Sequence, residues 1–354
     1  MAYTTIDDPS AHFQVKIWSG NGTAGTAITF DGNSNLQPDL FWGKTRNHAY
    51  NHIVLDSTRG VTNKRIIPNA TDAEDTYAGF MDSFDSDGFT LDSDVNTNES
   101  AKTYVAWCWK ANGGTRTTNT ESGNNPAGGY QANTTGGFSI VDYTGTGAAG
   151  TMAHGLGAVP KVMIVKNRDS ITDWGVYHRN ASAAGNDSYL ELNTSDAAAT
   201  AGSVWNDTSP TSSVFTVGTN TKTNTDGEKY MAYCFTEIQG YSKFGSYTGN
   251  GNANGPFIYT GFKPAWVLVK VSTGSNRDWR MIDNKRDTYN LSTTELKPNS
   301  SATETTSAMQ LDLLSNGFKI RTSSTSCNDS ETYVYMAFAE QPFVSSEGVP
   351  CTAR

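Results

Sequence analysis

The sequence predicts an all-β fold of three tandem antiparallel β-sandwiches, jelly-roll-like units of about a hundred residues each. Three observations carry that expectation. Apolar runs ending in lysine, Leu40-Phe41-Trp42-Gly43-Lys44, Val162-Met163-Ile164-Val165-Lys166 and Trp266-Val267-Leu268-Val269-Lys270, each follow a proline, Pro38, Pro160 and Pro264. A closing strand recurs as Tyr104-Val105-Ala106-Trp107, Tyr230-Met231-Ala232-Tyr233 and Tyr335-Met336-Ala337-Phe338, at nearly the same distance beyond each lysine. Helical periodicity is scarce, whereas two-residue alternation and turn residues are frequent.

The second unit, residues 136–240, shows its strands most clearly. Residues 137–143 alternate, Gly145-Thr146-Gly147 turns the chain, and residues 162–165 form a continuous apolar run suited to a central strand. Residues 173–178, 188–193, 214–217 and 230–235 complete it. The third unit, 241–344, predicts strands at 242–247, 266–270, 278–282, 309–311, 318–321 and 333–338. The first, 1–112, is the divergent copy, with strands at 14–18, 40–44, 51–55, 88–91 and 104–109. Short Ala- and acid-rich segments, Thr71 to Asp75 and Ser195 to Ala199, suggest single helical turns at matched points. Residues 113–135 are rich in Gly, Asn and Thr and read as a linker or long surface loop. The joint from Glu237 to Ser242 is short and holds the last two units in a fixed relation, and 345–354 form a tail.

Composition narrows function. The 354 residues carry a formal charge of −9, so a phosphate backbone meets repulsion, and nucleic acid is not an expected ligand. With 16 Tyr, 15 Phe and 8 Trp the chain has ample core material. The N-terminus shows no secretory pattern and no apolar run reaches membrane-spanning length, so folding in a cytoplasm and no membrane insertion are expected. Four cysteines are too few for a disulfide scaffold. Cys108 and Cys234 occupy one position in two units, where the third is aligned with Ala339, and such an exchange marks a small core residue.

No catalytic, cofactor-binding or metal-binding residue is assigned. No nucleophile elbow precedes a helix, no histidine pair has ligand spacing on a helix, and no constellation recurs between units. The acidic stretch Asp82 to Gly88 admits two readings. A tight Asp-Gly turn before a strand is the preferred one, and a cation held by Asp85, Asp87 and Asp94 is the other. A carboxylate pair for glycoside cleavage drawn from distant positions stays open, as does sugar stacking on exposed aromatics such as Tyr50, Tyr130 and Tyr143.

His154-Gly155-Leu156-Gly157 leading to Pro160-Lys161-Val162, then Asp173-Trp174-Gly175-Val176-Tyr177-His178, resembles a repeat of virion proteins from marine phages, especially short-tailed cyanophages. Residues 237–251 and the closing stretch Tyr335 to Phe343 share the likeness. The first unit joins it through residues 84–89 and 104–110, so the likeness covers nearly the whole chain. The resemblance implies a non-enzymatic structural component of a bacteriophage particle, tail- or fibre-associated, that contributes to host attachment. Capsid decoration, or a lectin or depolymerase acting on envelope glycans, is the alternative. It further implies assembly with other virion proteins in the host cytoplasm and a role in the virion, with a host-surface glycan as a further partner. Thr-rich, weakly charged edges and the symmetry of phage appendages favour a homo-oligomer, a trimer first. The shaft of an extended fibre is absent from the sequence.

Overall fold

The computed structural model describes residues 3–182, 187–306 and 308–353. Met1, Ala2 and Arg354, which belong to the first unit and the tail delimited from sequence, lie outside the described residues. The first lobe contains β1 (Phe13–Ser19), β2 (Thr26–Ile28), β3 (Leu40–Thr45), β4 (Ile53–Asp56), β5 (Met81–Asp85), β6 (Gly88–Leu91), α1 (Val95–Asn98) and β7 (Thr103–Trp109). The second contains β8 (Thr117–Asn119), β9 (Gly128–Asn133), β10 (Phe138–Thr144), β11 (Gly150–Ala153), β12 (Val162–Asn167), β13 (Gly175–His178), β14 (Ser188–Glu191), β15 (Ala199–Thr200), α2 (Gly202–Trp205), β16 (Val214–Val217) and β17 (Lys229–Phe235). The third contains β18 (Ser242–Thr248), β19 (Phe257–Tyr259), β20 (Phe262–Val271), β21 (Arg280–Asp283), β22 (Leu311–Leu314), β23 (Gly317–Ile320), α3 (Thr325–Asn328) and β24 (Thr332–Pro342).

The protein is all-β and built of antiparallel sandwiches. One large sheet runs β1-β7-β3-β4 and another β18-β24-β20-β21, while β10-β17-β12-β13 repeats that order inside an eight-stranded sheet. Each large sheet faces a small one: β2-β6-β5, β11-β16 or β19-β23-β22. Strand alternation assigns the two faces. In β7, Tyr104, Ala106 and Cys108 pack within their own lobe, and Val105, Trp107 and Trp109 turn toward the middle of the molecule. In β17, Tyr230, Ala232 and Cys234 do the former and Met231, Tyr233 and Phe235 the latter.

The inward faces meet in one shared core, which replaces the expected string of separate beads. Trp109, Phe235 and Phe338 come from three different lobes and lie 6.0, 5.6 and 5.9 Å apart between ring centroids. Backbone hydrogen bonds link the lobes head to tail. The Glu74 N–H donates to Arg168 O at 2.7 Å, Ala198 N–H to Ser272 O at 3.0 Å, and Glu304 N–H to Arg46 O at 2.9 Å. The third lobe thereby returns to the first and closes a ring.

The closing strands match in a register that the sequence pattern misplaces by two residues. Tyr104, Tyr230 and Tyr333 each stack on a ring of the neighbouring strand, Trp18, Tyr143 and Tyr247, at 5.3, 5.0 and 5.1 Å. Each hydroxyl donates to a carbonyl of the segment before its strand, Val95 O in α1, Thr221 O in the turn after β16, or Thr325 O in α3. Tyr335 is therefore not the counterpart, and Cys108 and Cys234 correspond to Ala337 rather than Ala339. Tyr333 and Tyr335 share one strand face, and spacing alone picks the wrong one.

Residues 113–135 are no linker. β9 pairs with β10 from Phe138↔Asn133 to Tyr143↔Gly128, and β8 pairs with β9. Gln131 on β9 ties this hairpin to the first lobe, donating to Ser57 Oγ at 2.8 Å and Thr58 Oγ1 at 2.6 Å. Tyr130 packs so closely that a Cβ on Gly155 would lie 2.0 Å from its ring. The expected helical turns at 71–75 and 195–199 are also absent, because these segments lie across the next lobe, to which Glu74 and Ala198 give their backbone N–H groups. The short helices stand instead before β7 and β24 in the first and third lobes and before β16 in the second.

The outer edges of the large sheets carry more charge than their composition suggests. Lys16 on β1 pairs with Asp31 at 3.2 Å, and Glu237 beside β18 accepts from the Phe244 N–H at 2.8 Å while facing Lys243 at 3.4 Å.

Candidate functional site

The densest polar chemistry lies in the three seams of the ring. The residue entering β4, β13 or β21 reaches back to a carbonyl of another lobe in each. Trp174 Nε1–H donates to Ile67 O at 3.1 Å and Trp279 Nε1–H to Glu191 O at 2.8 Å. His52 takes the same role with its Nε2 3.0 Å from Lys297 O, its Nδ1 accepting from Trp42 Nε1–H at 3.0 Å. That pair of contacts fixes a neutral tautomer. Burial, followed by the charge of Lys44, drives the His52 pKa well below its ordinary value.

Two seams add a buried ion pair. Asp56 and Arg59 meet at 2.6 Å with fully buried side chains, and Tyr233 of the second lobe donates its hydroxyl to Asp56 at 2.7 Å. Arg59 continues to Glu74 at 3.2 Å, and Glu74 to Arg168 at 2.8 Å. Asp283 and Arg286 repeat the pair at 2.6 Å, with Trp107 Nε1–H on Asp283 at 3.1 Å. Glu304 there holds Arg46 through two hydrogen bonds. The second lobe departs, with His178 and Ala181 at the matched places. His178 Nε2–H meets Tyr335 O at 3.1 Å, and burial pushes its pKa down to about 4. Sequence reading passed over these groups, although Asp-x-x-Arg stands after a strand twice, at Asp56 to Arg59 and Asp283 to Arg286.

Two of the lysines that end the apolar runs bond across the seams, and the third, Lys44, bonds within its own lobe. Lys166 Nζ donates to Thr71 O at 2.9 Å and Thr172 O at 2.8 Å, and Lys270 Nζ to Ser195 O at 3.0 Å and Val271 O at 3.1 Å. Lys44 Nζ holds Thr45 O at 2.7 Å and His48 O at 3.2 Å. Burial lowers all three to about 8.

The acidic stretch forms a hairpin turn. Asp85 pairs with Gly88 across it, and a Cβ on Gly88, at φ +113°, would strike Ile28 O. Asp85 accepts from Ser83 and Thr90, Asp87 from the Leu36 N–H, and Asp94 caps α1 at Asn96. The three carboxylates serve three local tasks and do not converge. Among the described residues no group of three His, Cys, Asp or Glu side chains is placed to hold a metal ion. His12, His48 and His154 likewise stand apart, in contact with Tyr241, Tyr50 and the Leu156 N–H respectively.

One surface hollow gathers ionisable groups. Tyr189, Glu191 and Asp196 line it, and Lys222 Nζ lies 3.2 Å from Glu191 and 3.7 Å from Asp173. Burial, then the Asp173 charge, raises the Glu191 pKa. Of the aromatics singled out for sugar stacking, Tyr143 is buried in the second lobe's core, and Tyr130 packs against it. Tyr50 donates its hydroxyl to Glu99 at 2.8 Å.

The family described as "Domain of unknown function (DUF7483)" matches residues 8–342. The chain belongs to that family. The match runs from the turn before β1 to the end of β24, so it spans all three lobes. No curated protein and no solved structure matches the chain. Among the described residues no helix is long and apolar enough to cross a membrane. Chemically, the seam arrangement holds surfaces together, since its acids and bases face one another or backbone carbonyls.

Proposed function

We propose that this chain is a non-enzymatic structural protein of a bacteriophage particle, tail- or fibre-associated, which helps the particle contact a host surface. The observation that supports this reading best is the closure of the ring at Glu304 and Arg46. It makes one chain a stiff block whose buried charges are engaged in cohesion rather than directed at a substrate. The sequence resemblance from Gly136 to Phe343 points the same way. In this reading the protein folds in the host cytoplasm, joins other virion proteins and works in the particle as a homotrimer. Cryo-electron microscopy of the intact particle tests it: density for three-lobed blocks at the tail supports the proposal. Density on the capsid lattice makes the chain a decoration protein, and its absence from purified particles removes the proposal.

The Glu191 hollow favours a second reading, glycan cleavage, because a carboxyl of raised pKa with a second acid, Asp173, close by suits general acid work. Release of sugar from host envelope polysaccharide that stops in Glu191→Gln would put that reading first.

A further inference from the structure

The outer faces of the small sheets differ in one lobe only. Ile28, Met152 and Ile258 face Phe89, Phe215 and Phe318 at matched places in the inner layer. The residues on either side of them point outward. They are Ala27 and Thr29 in the first lobe, Thr151 and Ala153 in the second, but Phe257 and Tyr259 in the third. The fold thus closes twice with small residues at these positions. In the third lobe the two rings stay 46% and 52% exposed.

Their surroundings are built rather than incidental. Tyr3 donates its hydroxyl to Gly261 O at 2.8 Å, so the 3.0 Å contact between the Tyr3 and Tyr259 hydroxyls has Tyr259 as donor. The Tyr259 ring is thereby oriented before any ligand arrives, which reduces the entropy lost on binding. Lys319 stands directly across from Phe257, and Asp312 across from Lys319, where Arg321 meets it at 2.5 Å. Gly317 lies opposite Tyr259 with Leu314 beyond, and a Cβ on Gly317 would sit 2.1 Å from Ile258 O. That row has a bare backbone floor between its aromatic and aliphatic walls.

We propose that the outer face of the β19-β23-β22 sheet binds pyranose rings of a glycan, with Phe257 and Tyr259 stacking on sugar C–H faces and Lys319, Asp312 and Arg321 bonding hydroxyls or carboxylates. Size selects this occupant. A buried aromatic side chain covers about 150–250 Å², so two half-exposed rings offer on the order of 200 Å². A stable protein interface takes about 800 Å² per partner. Two rings one pleat repeat apart, about 7 Å, with donors and acceptors in the adjoining row, suit a short run of sugars. The inference supplies a ligand for the surface-contact part of the function proposed above. Its failure would leave the location of the protein in the particle, which microscopy reads separately, untouched.

The test uses the full chain with neutral β-glucan hexasaccharides and with uronate hexasaccharides, read by saturation-transfer difference NMR and calorimetry. Saturation transfer from the Phe257 and Tyr259 rings is expected, with affinity falling roughly tenfold or more in Phe257→Ala and in Tyr259→Ala. Tyr77→Ala, an exposed aromatic of the first lobe, should bind as the parent does. The two probe sets separate a neutral ligand from an acidic one. Absence of binding to both sets, or binding unchanged in the folded double variant, overturns the proposal. So does self-association by sedimentation that Phe257→Ala abolishes, since the face would then be a contact between copies.

Discussion

Trp107 in the first lobe places its indole N–H 3.1 Å from Oδ2 of Asp283 in the third, and Arg286 grips that same oxygen through its Nε while lying over the Trp107 ring at 5.7 Å. Tyr233 bears the same relation to Asp56 and Arg59. An ion pair inside one lobe thus becomes a socket for an aromatic residue of another. The pairing is costly to break from one side, because the surviving charge stays buried.

Asp283→Ala should therefore lower stability by about 3–5 kcal/mol, leaving Arg286 uncompensated. Asp283→Leu combined with Arg286→Met should lose far less. Chemical denaturation of the three proteins, compared through their midpoints at constant slope, checks the order. Equal losses in the single and double variants would show that the pair contributes through shape alone.

Removal of residues 1–112 should leave no folded remainder. The cut strips Trp109 from Phe235 and Phe338, and removes the partners of Arg168, Trp174 and Tyr233. This reverses the expectation of an independent first unit on a flexible tether. Near-ultraviolet circular dichroism and dye binding of the truncated chain should report lost packing and exposed apolar surface.

Acid should weaken the ring before carboxylates titrate fully. His178 is held neutral with a pKa near 4, against about 6.5 when unfolded. The unfolded chain binds the proton first, so stability is complete above pH 6.5 and falls as pH drops toward 4. For this residue the loss is on the order of 3 kcal/mol. Denaturation midpoints between pH 7 and 4.5 should show the decline, and His178→Gln should flatten part of it.

The alkaline limb should run the opposite way to intuition. Lys44, Lys166 and Lys270 have pKa values near 8 in the fold, against 10.5 unfolded, so the native state binds fewer protons between those values. These lysines make stability rise with pH from about 8, against the buried thiols Cys108, Cys234 and Cys327, which ionise in the unfolded chain from about 8.5 and oppose the rise. Lys166→Met should reduce the slope. A pH slope that Lys166→Met leaves unchanged would show that the ammonium groups are better solvated than their burial suggests.

Thiol labelling of the native protein should reach Cys351 alone. Cys108, Cys234 and Cys327 are fully buried, and desolvation drives Cys327 up to about 12 and the other two upward as well. Mass spectrometry after brief alkylation reads the pattern. Early modification of Cys108 or Cys234 would place them outside the lobe cores.

Much of the strand order was legible in the chain itself. Alternation at 137–143, the apolar runs ending in Lys44, Lys166 and Lys270, and the closing aromatics each reported a local period, which sterics and burial impose on any sheet strand. The turn at Asp85 to Gly88 was legible for the same local reason. Strands β8 and β9 were not, because their Gly, Asn and Thr gain order only from pairing with β10. Nor was the register of Tyr333, since two tyrosines on one face satisfy the same pattern. The sequence by itself determined the class of fold, the four strands that each lobe repeats in its large sheet and which residues are apolar enough for a core. Only the tertiary structure decided that Trp107, Trp109, Tyr233, Phe235 and Phe338 face a common centre, that Asp56 and Asp283 receive rings from other lobes, and that Phe257 and Tyr259 stay outside. Local periodicity fixes which face of a strand is apolar, but what that face meets depends on contacts between residues a hundred or more positions apart, where spacing along the chain carries no signal.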